Sequence, residues 1–405
     1  MAKKKPIKLN DQQLMLDASR VADIYHQMTI DLFDQVVDRI RERGTASLEE
    51  NPYLWQLEKM SEMGLLNNAN IKLIARYSGV AEEQLRYVIE NEGYKVYKDT
   101  KTQLLESMGG GDFITNNLIQ TTLANYVNQT TGDIDNLINT TLPKSVRKVY
   151  QDIVEEAVAK VITGLMNPDK AISTTVMKWA ERGFYGFTDK GGKRWRADTY
   201  ARTIIKTTSW RVYREARKAP ADELGIDTFY YSMKPAAREM CAPLQHQIVT
   251  TGQARVEEGE KIFALDDYGY GKPGGCQGIN CGHTMTPFIP GVNYKPDLPE
   301  HLENLTPEET IENANVQSKQ RALERSIRQS KEMLHVANKL EDEELISKYK
   351  GQVKARQAAM RSYLAQHPFL HRDYSRERYY SDPLREAEAE IKLRKRQNKK
   401  QTVSN

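Results

Sequence analysis

No stretch of this chain approaches the roughly 20 consecutive apolar residues that a membrane-spanning helix needs, and the opening MAKKKPIKLND has no apolar signal core. The expectation is a protein made and kept in a reducing cytoplasm unless a larger assembly carries it out. Cysteine is scarce: three residues in 405 cannot make a disulfide framework, and without a secretory signal a disulfide between any two is disfavoured. Charge of one sign is also lacking. Lys and Arg number 59 against 55 Asp and Glu, so whole-molecule electrostatics does not force a nucleic-acid partner and only local patches could. No Gly-rich phosphate loop follows a strand, and no protease signature surrounds a cysteine. The one His-x-Glu, at His301 and Glu303, has no Pro-Cys-x-x-Cys after it, so a deaminase-type site is unsupported.

What is present is helix with wide polar faces. Hydrophobic residues make up 39% and the mean hydropathy is -0.68, low for one compact globule and natural for elongated helices. Leu14, Ala18, Val21, Tyr25, Met28, Leu32, Val36 and Ile40 recur at three and four residues and predict a helix from Asp11 to about Arg43. Asn51-Pro52 opens a second helix. The segment from Ile71 to Ile89 has the look of a helix-turn-helix with its turn at Gly79, read here as a packing hairpin because Glu82 and Glu83 would repel phosphates. Gly109-Gly110-Gly111 predicts a joint. Helices follow over the Asn/Thr-rich run to Thr141, from Pro143 to Leu165, and up to Gly183.

The helix from Arg196 to Arg217 would point Arg202, Lys206, Arg211, Arg214 and Arg217 outward, as a solvated face or a surface for phosphates or an acidic partner. It feeds through ELGID into the block from Phe229 to Val292, which holds Cys241, Cys276, Cys281 and six closely spaced glycines. Such glycine density excludes helix and predicts short strands and turns, with Phe229, Tyr231 and Met233 on one strand face. The chemistry here is sulfur and imidazole. Cys276, Cys281 and His283 share one loop, and Cys241 supplies a fourth corner for a tetrahedral zinc site, with His246 competing for that corner. Buried cysteine as a plain small hydrophobe is the alternative. A nucleophilic Cys241 or Cys281 with His283 as base and Asn280 orienting the ring is the enzyme reading, and nothing in the spacing fixes it.

The succession of the KWAERGF helix, YARTIIKTTSWRVYREA, ELGIDTFYYS, REMCAPLQ and GYGKPGGCQGINCGHTMTPFIPG resembles the tailed-phage minor capsid protein 2 family, a relative of the Mu protein F head-morphogenesis group. Gly278, Asn280, Cys281, His283, Pro287, Phe288, Ile289, Pro290 and Gly291 stand where the family pattern has them. The chain departs from it with Gly282 where Arg is common, Cys241 where His is common, and Leu244-Gln245-His246 where Trp-Gln-Gly is common. The resemblance implies a structural, non-enzymatic virion protein that meets the portal protein and other capsid or scaffold proteins, inside the capsid near the portal vertex, after assembly in the host cytoplasm. It does not imply the metal.

After a linker, Thr306-Pro307-Glu308-Glu309 starts a helical hairpin or coiled coil that turns at Glu341-Asp342-Glu343-Glu344. The end of the chain is a charged helix in which Lys392, Arg394, Lys395, Arg396, Lys399 and Lys400 lie together without an acid, suited to non-specific contact with packaged double-stranded DNA or to keeping the end solvated. The expected fold is mainly α, with elongated helical N-terminal and C-terminal regions flanking a small α+β domain of short antiparallel strands. Its expected divisions are helical regions at 1–108 and 109–187, the core domain at 188–293, a linker at 294–310, the hairpin at 311–380 and the basic tail at 381–405. A zinc-stabilised nucleic-acid-binding protein acting outside a capsid is the second functional reading, and a thiol or metal-dependent hydrolase the third.

Overall fold

The architecture follows from where the apolar stripes meet. The computed structural model describes residues 5–6, 13–42, 44–114, 117–188, 191–192, 194–279, 281–379 and 383–403. The chain is mainly α. Its helices of ten residues or more are α1 (Gln13–Arg41), α2 (Pro52–Ser61), α3 (Met63–Tyr87), α4 (Gly93–Ser107), α5 (Asn117–Thr140), α6 (Leu142–Ile162), α7 (Pro168–Arg182), α8 (Ala197–Glu223), α9 (Pro307–Leu340), α10 (Glu343–Gln366) and α11 (Pro383–Val403). The stripe expected on α1 is its buried face: Leu14, Val21, Tyr25, Met28, Leu32, Val36 and Ile40 all lie in one core with residues of α3 to α8. Local chemistry sets the helix starts. The Asn51 side chain accepts from Leu54 N, the Asn167 side chain from Lys170 N, and Thr306 and Glu309 form a reciprocal capping box.

The helix-turn-helix is not there. α3 runs unbroken through Gly79 and reaches a five-residue π-helical stretch, Val88–Glu92, before α4. A single glycine in a helix interior costs about 1 kcal/mol, which the burial of Ile74, Tyr77, Ala81 and Leu85 on the same helix easily offsets. α8 likewise continues past Arg217 and through Pro220 to Glu223.

A second core lies under a five-stranded sheet of β1 (Thr228–Tyr231), β2 (Ile248–Thr250), β3 (Arg255–Glu257), β4 (Glu260–Ala264) and β5 (Met285–Pro287), in the order β3-β4-β2-β1-β5. Its pairings are antiparallel except for β2 with β4. Every residue of β1 is buried, because the strand is central and covered on both faces. Phe229 and Tyr231 face a cluster with Cys241, Cys276, Cys281 and Met285, while Tyr230 packs with Ile248, Ile262 and Phe288 on the other side.

Charge, not apolar area alone, ties α1, α8 and α9. Asp198 in the first turn of α8 accepts from His26 Nδ1 at 2.8 Å and Arg196 Nε at 3.3 Å, and Glu332 of α9 lies 3.5 Å from His26 and 3.6 Å from Arg196. Burial works against the Asp198 carboxylate, but Arg196, His26 and Arg328 outweigh it and hold its pKa well below the usual range.

α9 and α10 form the expected hairpin, with Glu341 in the left-handed region at φ 57° and Asp342 capping Leu345 N. The hairpin is not free-standing: Met333, Val336, Ala337, Leu340 and Ile346 belong to the main core. Nor is the basic end of the chain a bare tail. α11 buries Leu384, Ala387 and Ile391, and Arg76 of α3 grips Glu388 with two bonds at 2.9 and 3.0 Å.

Candidate metal centre

Three loops leave the same end of the sheet. Chain leaving β1, chain entering β2 and chain entering β5 meet there because β1 is antiparallel to both neighbours. Ser232 and Thr284 lock two of the loops: Ser232 N donates to Thr284 O at 3.0 Å, and Thr284 N donates to Ser232 Oγ at 2.9 Å. Cys241 precedes a one-turn 3-10 helix whose second residue is Pro243, so its backbone direction is fixed. Cys281 and His283 close the glycine-rich loop before β5. In that loop only glycine fits at two points. A Cβ on Gly275 would stand 1.8 Å from Gly269 O, and one on Gly278 would stand 2.2 Å from Lys272 O.

The sulfur and nitrogen atoms converge. Cys241 Sγ lies 3.8 Å from Cys281 Sγ, and Cys281 Sγ lies 3.5 Å from His283 Nδ1. All three ligand atoms are within 4.8 Å of one another, and all three residues are buried. The Tyr231 hydroxyl borders the same space, 3.8 Å from Cys281 Sγ, and its ring stacks on His283 at 5.0 Å between centroids. Cys276 is not one of the group. Its N–H donates to Tyr268 O and its thiol donates to Leu265 O at 3.6 Å, so it faces the base of the loop, and burial pushes that thiol up to about 12. His246 is also elsewhere, on the other face of the sheet, with Nδ1 3.0 Å from the Tyr230 hydroxyl. Asn280 lies outside the described residues.

The residue that orients the imidazole is one the sequence reading left without a role. Gln245 Oε1 accepts from Lys234 N at 2.7 Å and sits 2.9 Å from His283 Nε2. The backbone donor fixes which end of the amide faces inward, so the proton of a neutral ring is on Nε2 and Nδ1 keeps its lone pair toward the sulfurs. Nothing in PLQH marks this glutamine, because its partner arrives 38 residues later through the sheet. Burial lowers the His283 pKa, outweighing the Cys281 sulfur, which favours the charged ring. The Cys241 thiol, bonding to Cys281, lowers the Cys281 pKa and has its own raised in exchange.

Two cations brace the loop from outside. Arg214 of α8 donates to Gln277 O and, at 2.8 Å, to Cys281 O, and Arg238 donates to Ile279 O; Lys234 Nζ stands 5.7 Å from the centre of the Trp210 ring of α8. Arg214 and Arg217 are therefore not the outward basic face expected of this helix. Arg217 is 1% exposed, donating to the Tyr213 hydroxyl at 2.8 Å. Of the six cations at the end of the chain, Lys392, Lys395 and Arg396 are exposed. Arg394 stacks on Tyr87 at 3.9 Å and bonds Gln84, and Lys395 pairs with Glu83 at 2.9 Å. The side chains of Lys399 and Lys400 lie outside the described residues.

The chain is mainly helical with a buried thiol–imidazole cluster beside a small mixed sheet, and no helix among the described residues is long and apolar enough to cross a membrane. The chain belongs to the phage minor capsid protein 2 family, whose pattern it matches over residues 9–365. It is similar to a protein described as "Structural protein" from Lactococcus phage LL-H, at 29% identity over 88% of this chain and 98% of the relative. It is also similar to a "Structural protein" of Lactococcus phage mv4, at 33% identity over 29% of this chain and 92% of that relative. No solved structure matches.

Proposed function

We propose that this chain is a structural component of the phage head that sits at the portal vertex, contacts the portal protein and neighbouring capsid or scaffold proteins, and faces the packaged double-stranded DNA. The observation that carries the protein contacts is a set of large apolar side chains left in solvent. Tyr53, Leu54, Leu57 and Leu65 are 50–69% exposed on α2 and the start of α3, on the face opposite buried Trp55, Lys59 and Leu66. A second group, Met108, Phe113, Ile114 and Leu118, surrounds the glycine joint after α4. A row of this size in water marks a surface that a partner covers.

The DNA contact rests on α8 more than on the end of the chain. Lys206 is exposed, yet the protein around it and the like charges of Arg376, Arg321, Arg202 and Lys234 draw its ammonium down to about 8. A phosphate backbone relieves that repulsion, and exposed Lys392 and Arg396 on α11 offer further phosphate contacts. On this reading the buried thiol–imidazole cluster is architectural and the protein performs no reaction.

Quantitative mass spectrometry of purified heads, full and emptied of DNA, tests the placement. A small fixed ratio to portal subunits in both is expected. Loss of the protein with the DNA replaces the portal position with ejection, and absence from full heads sinks the reading.

A further inference from the structure

We propose that Cys241 Sγ, Cys281 Sγ and His283 Nδ1 together hold one zinc ion, with Cys276 outside the coordination sphere and Gln245 as the residue that positions the imidazole. The distances carry the argument. Bonds of about 2.3 Å to sulfur and about 2.0–2.1 Å to nitrogen, at a tetrahedral angle, imply ligand separations of about 3.8 Å between sulfurs and about 3.5 Å from sulfur to nitrogen. Two of the three separations found here are 3.8 Å and 3.5 Å, and the third, from Cys241 Sγ to the His283 ligand nitrogen, lies within 4.8 Å. One intervening residue between Cys281 and His283 would strain joint ligation on a regular strand or helix, yet the turn between Gly282 and β5 brings both side chains to one side.

The donor set selects the metal. Two thiolates and one imidazole suit zinc over calcium, magnesium or manganese, which prefer oxygen. Two thiolates also neutralise the divalent charge, so the buried assembly is uncharged overall, and the donation to Cys281 O by Arg214 stays outside it. Gln245 acts through the second nitrogen. A ligating histidine is generally held by a bond from its other ring N–H, which sets the tautomer and ring orientation. Here the acceptor is an amide oxygen that the Lys234 N–H keeps turned inward. The site does not depend on the placement at the portal, since the same ion would cross-link the loops of this domain in any assembly.

The test is metal analysis of the full chain, purified without an affinity tag of histidines, equilibrated with zinc and desalted. One zinc per chain is expected, and cobalt in its place should give the intense visible bands of a tetrahedral thiolate site. Cys276→Ala should keep the ion, while Cys241→Ala, Cys281→Ala and His283→Ala should each lose it. Gln245→Leu should still bind but about 10–100-fold more weakly. Because a ligand variant can fail to fold, the wild-type result decides alone. Under a tenth of an equivalent of zinc, or a native chain lighter by two hydrogens from a Cys241–Cys281 disulfide, overturns the proposal. So does loss of the ion from Cys276→Ala with retention in Cys241→Ala.

Discussion

At the scale of single residues, two glycines of one loop have different reasons to be there. Gly275 has the Gly269 carbonyl where a Cβ would stand, at 1.8 Å, and the obstacle is backbone that cannot swing aside. Gly274 has nothing within 4 Å of the same position and no positive φ. Gly275→Ala should therefore destabilise the sheet domain by about 3 kcal/mol or more, as overpacking does, while Gly274→Ala should stay within about 0.5 kcal/mol. Urea denaturation of both variants followed by intrinsic fluorescence measures the pair, and equal losses would show that the loop shifts as a unit.

Asp198 is the second residue with a prediction of its own. It is 7% exposed and carries the charge that Arg196 and His26 face. Removing one member of a buried ion cluster costs about 3–5 kcal/mol because the others are left uncompensated, so Asp198→Asn should lose stability of that order at pH 7. The folded carboxyl titrates below its unfolded value, so its contribution is fully present above the unfolded pKa, about 3.9, and is lost as pH falls through the folded value. Denaturation at a series of pH values should show a wild-type decline below about pH 4 that Asp198→Asn lacks. A variant with the same acid slope as wild type would assign the decline to other carboxylates.

At the scale of elements, sequence and structure agree where the signal is local. Asn51-Pro52 and Thr306-Pro307-Glu308-Glu309 announce helix starts because capping is chemistry between residues three apart, and both caps are formed. The eight-residue stripe on α1 is legible for the same reason. Gly79 misleads because a glycine is compatible with a turn and with an open helix face, and only the neighbours of α3 decide. Arg217 misleads because a long side chain can be buried through its aliphatic part and its stacking on Tyr213. In the candidate metal centre Cys241, Cys281 and His283 were legible as residue types. Cys276 was not separable from them, since loop proximity in sequence says nothing about which side of the loop a thiol faces, and Gln245 needed the sheet register to meet its histidine.

The docking of α11 belongs to the same scale. Glu83 and Gln84 look like a solvated face in sequence, and they are part of the seat for the C-terminal helix. Arg76→Ala removes a two-bond contact to Glu388 on an exposed edge, worth about 1 kcal/mol or less. Protease cleavage within α11 should therefore speed up only a few-fold in that variant. Ala387→Glu, which places a charge where 6% of the residue is exposed, should release the helix outright. Unchanged cleavage in Ala387→Glu would mean that α11 is held by contacts other than this seam.

At the scale of the whole molecule, the two surfaces on which the proposed placement rests make separable demands. A substitution in the exposed apolar row should leave the isolated chain intact and damage assembly: Leu57→Asp sits at 69% exposure, so its stability should stay within about 0.5 kcal/mol, while its copy number in heads should fall. A substitution among the cations should do the reverse. Each phosphate contact contributes a slope of about -0.9 to log K against log salt on duplex DNA, so the full chain carrying Lys206→Gln, Lys392→Gln and Arg396→Gln should show a shallower slope by about two to three units and normal incorporation. If the slope is untouched, the cation group around Lys206 meets protein and not DNA, and the acidic partner that relieves its repulsion is to be sought among the proteins that cover the apolar row. If Leu57→Asp assembles normally, that row is not the interface, and Met108, Phe113, Ile114 and Leu118 become the surface to substitute next.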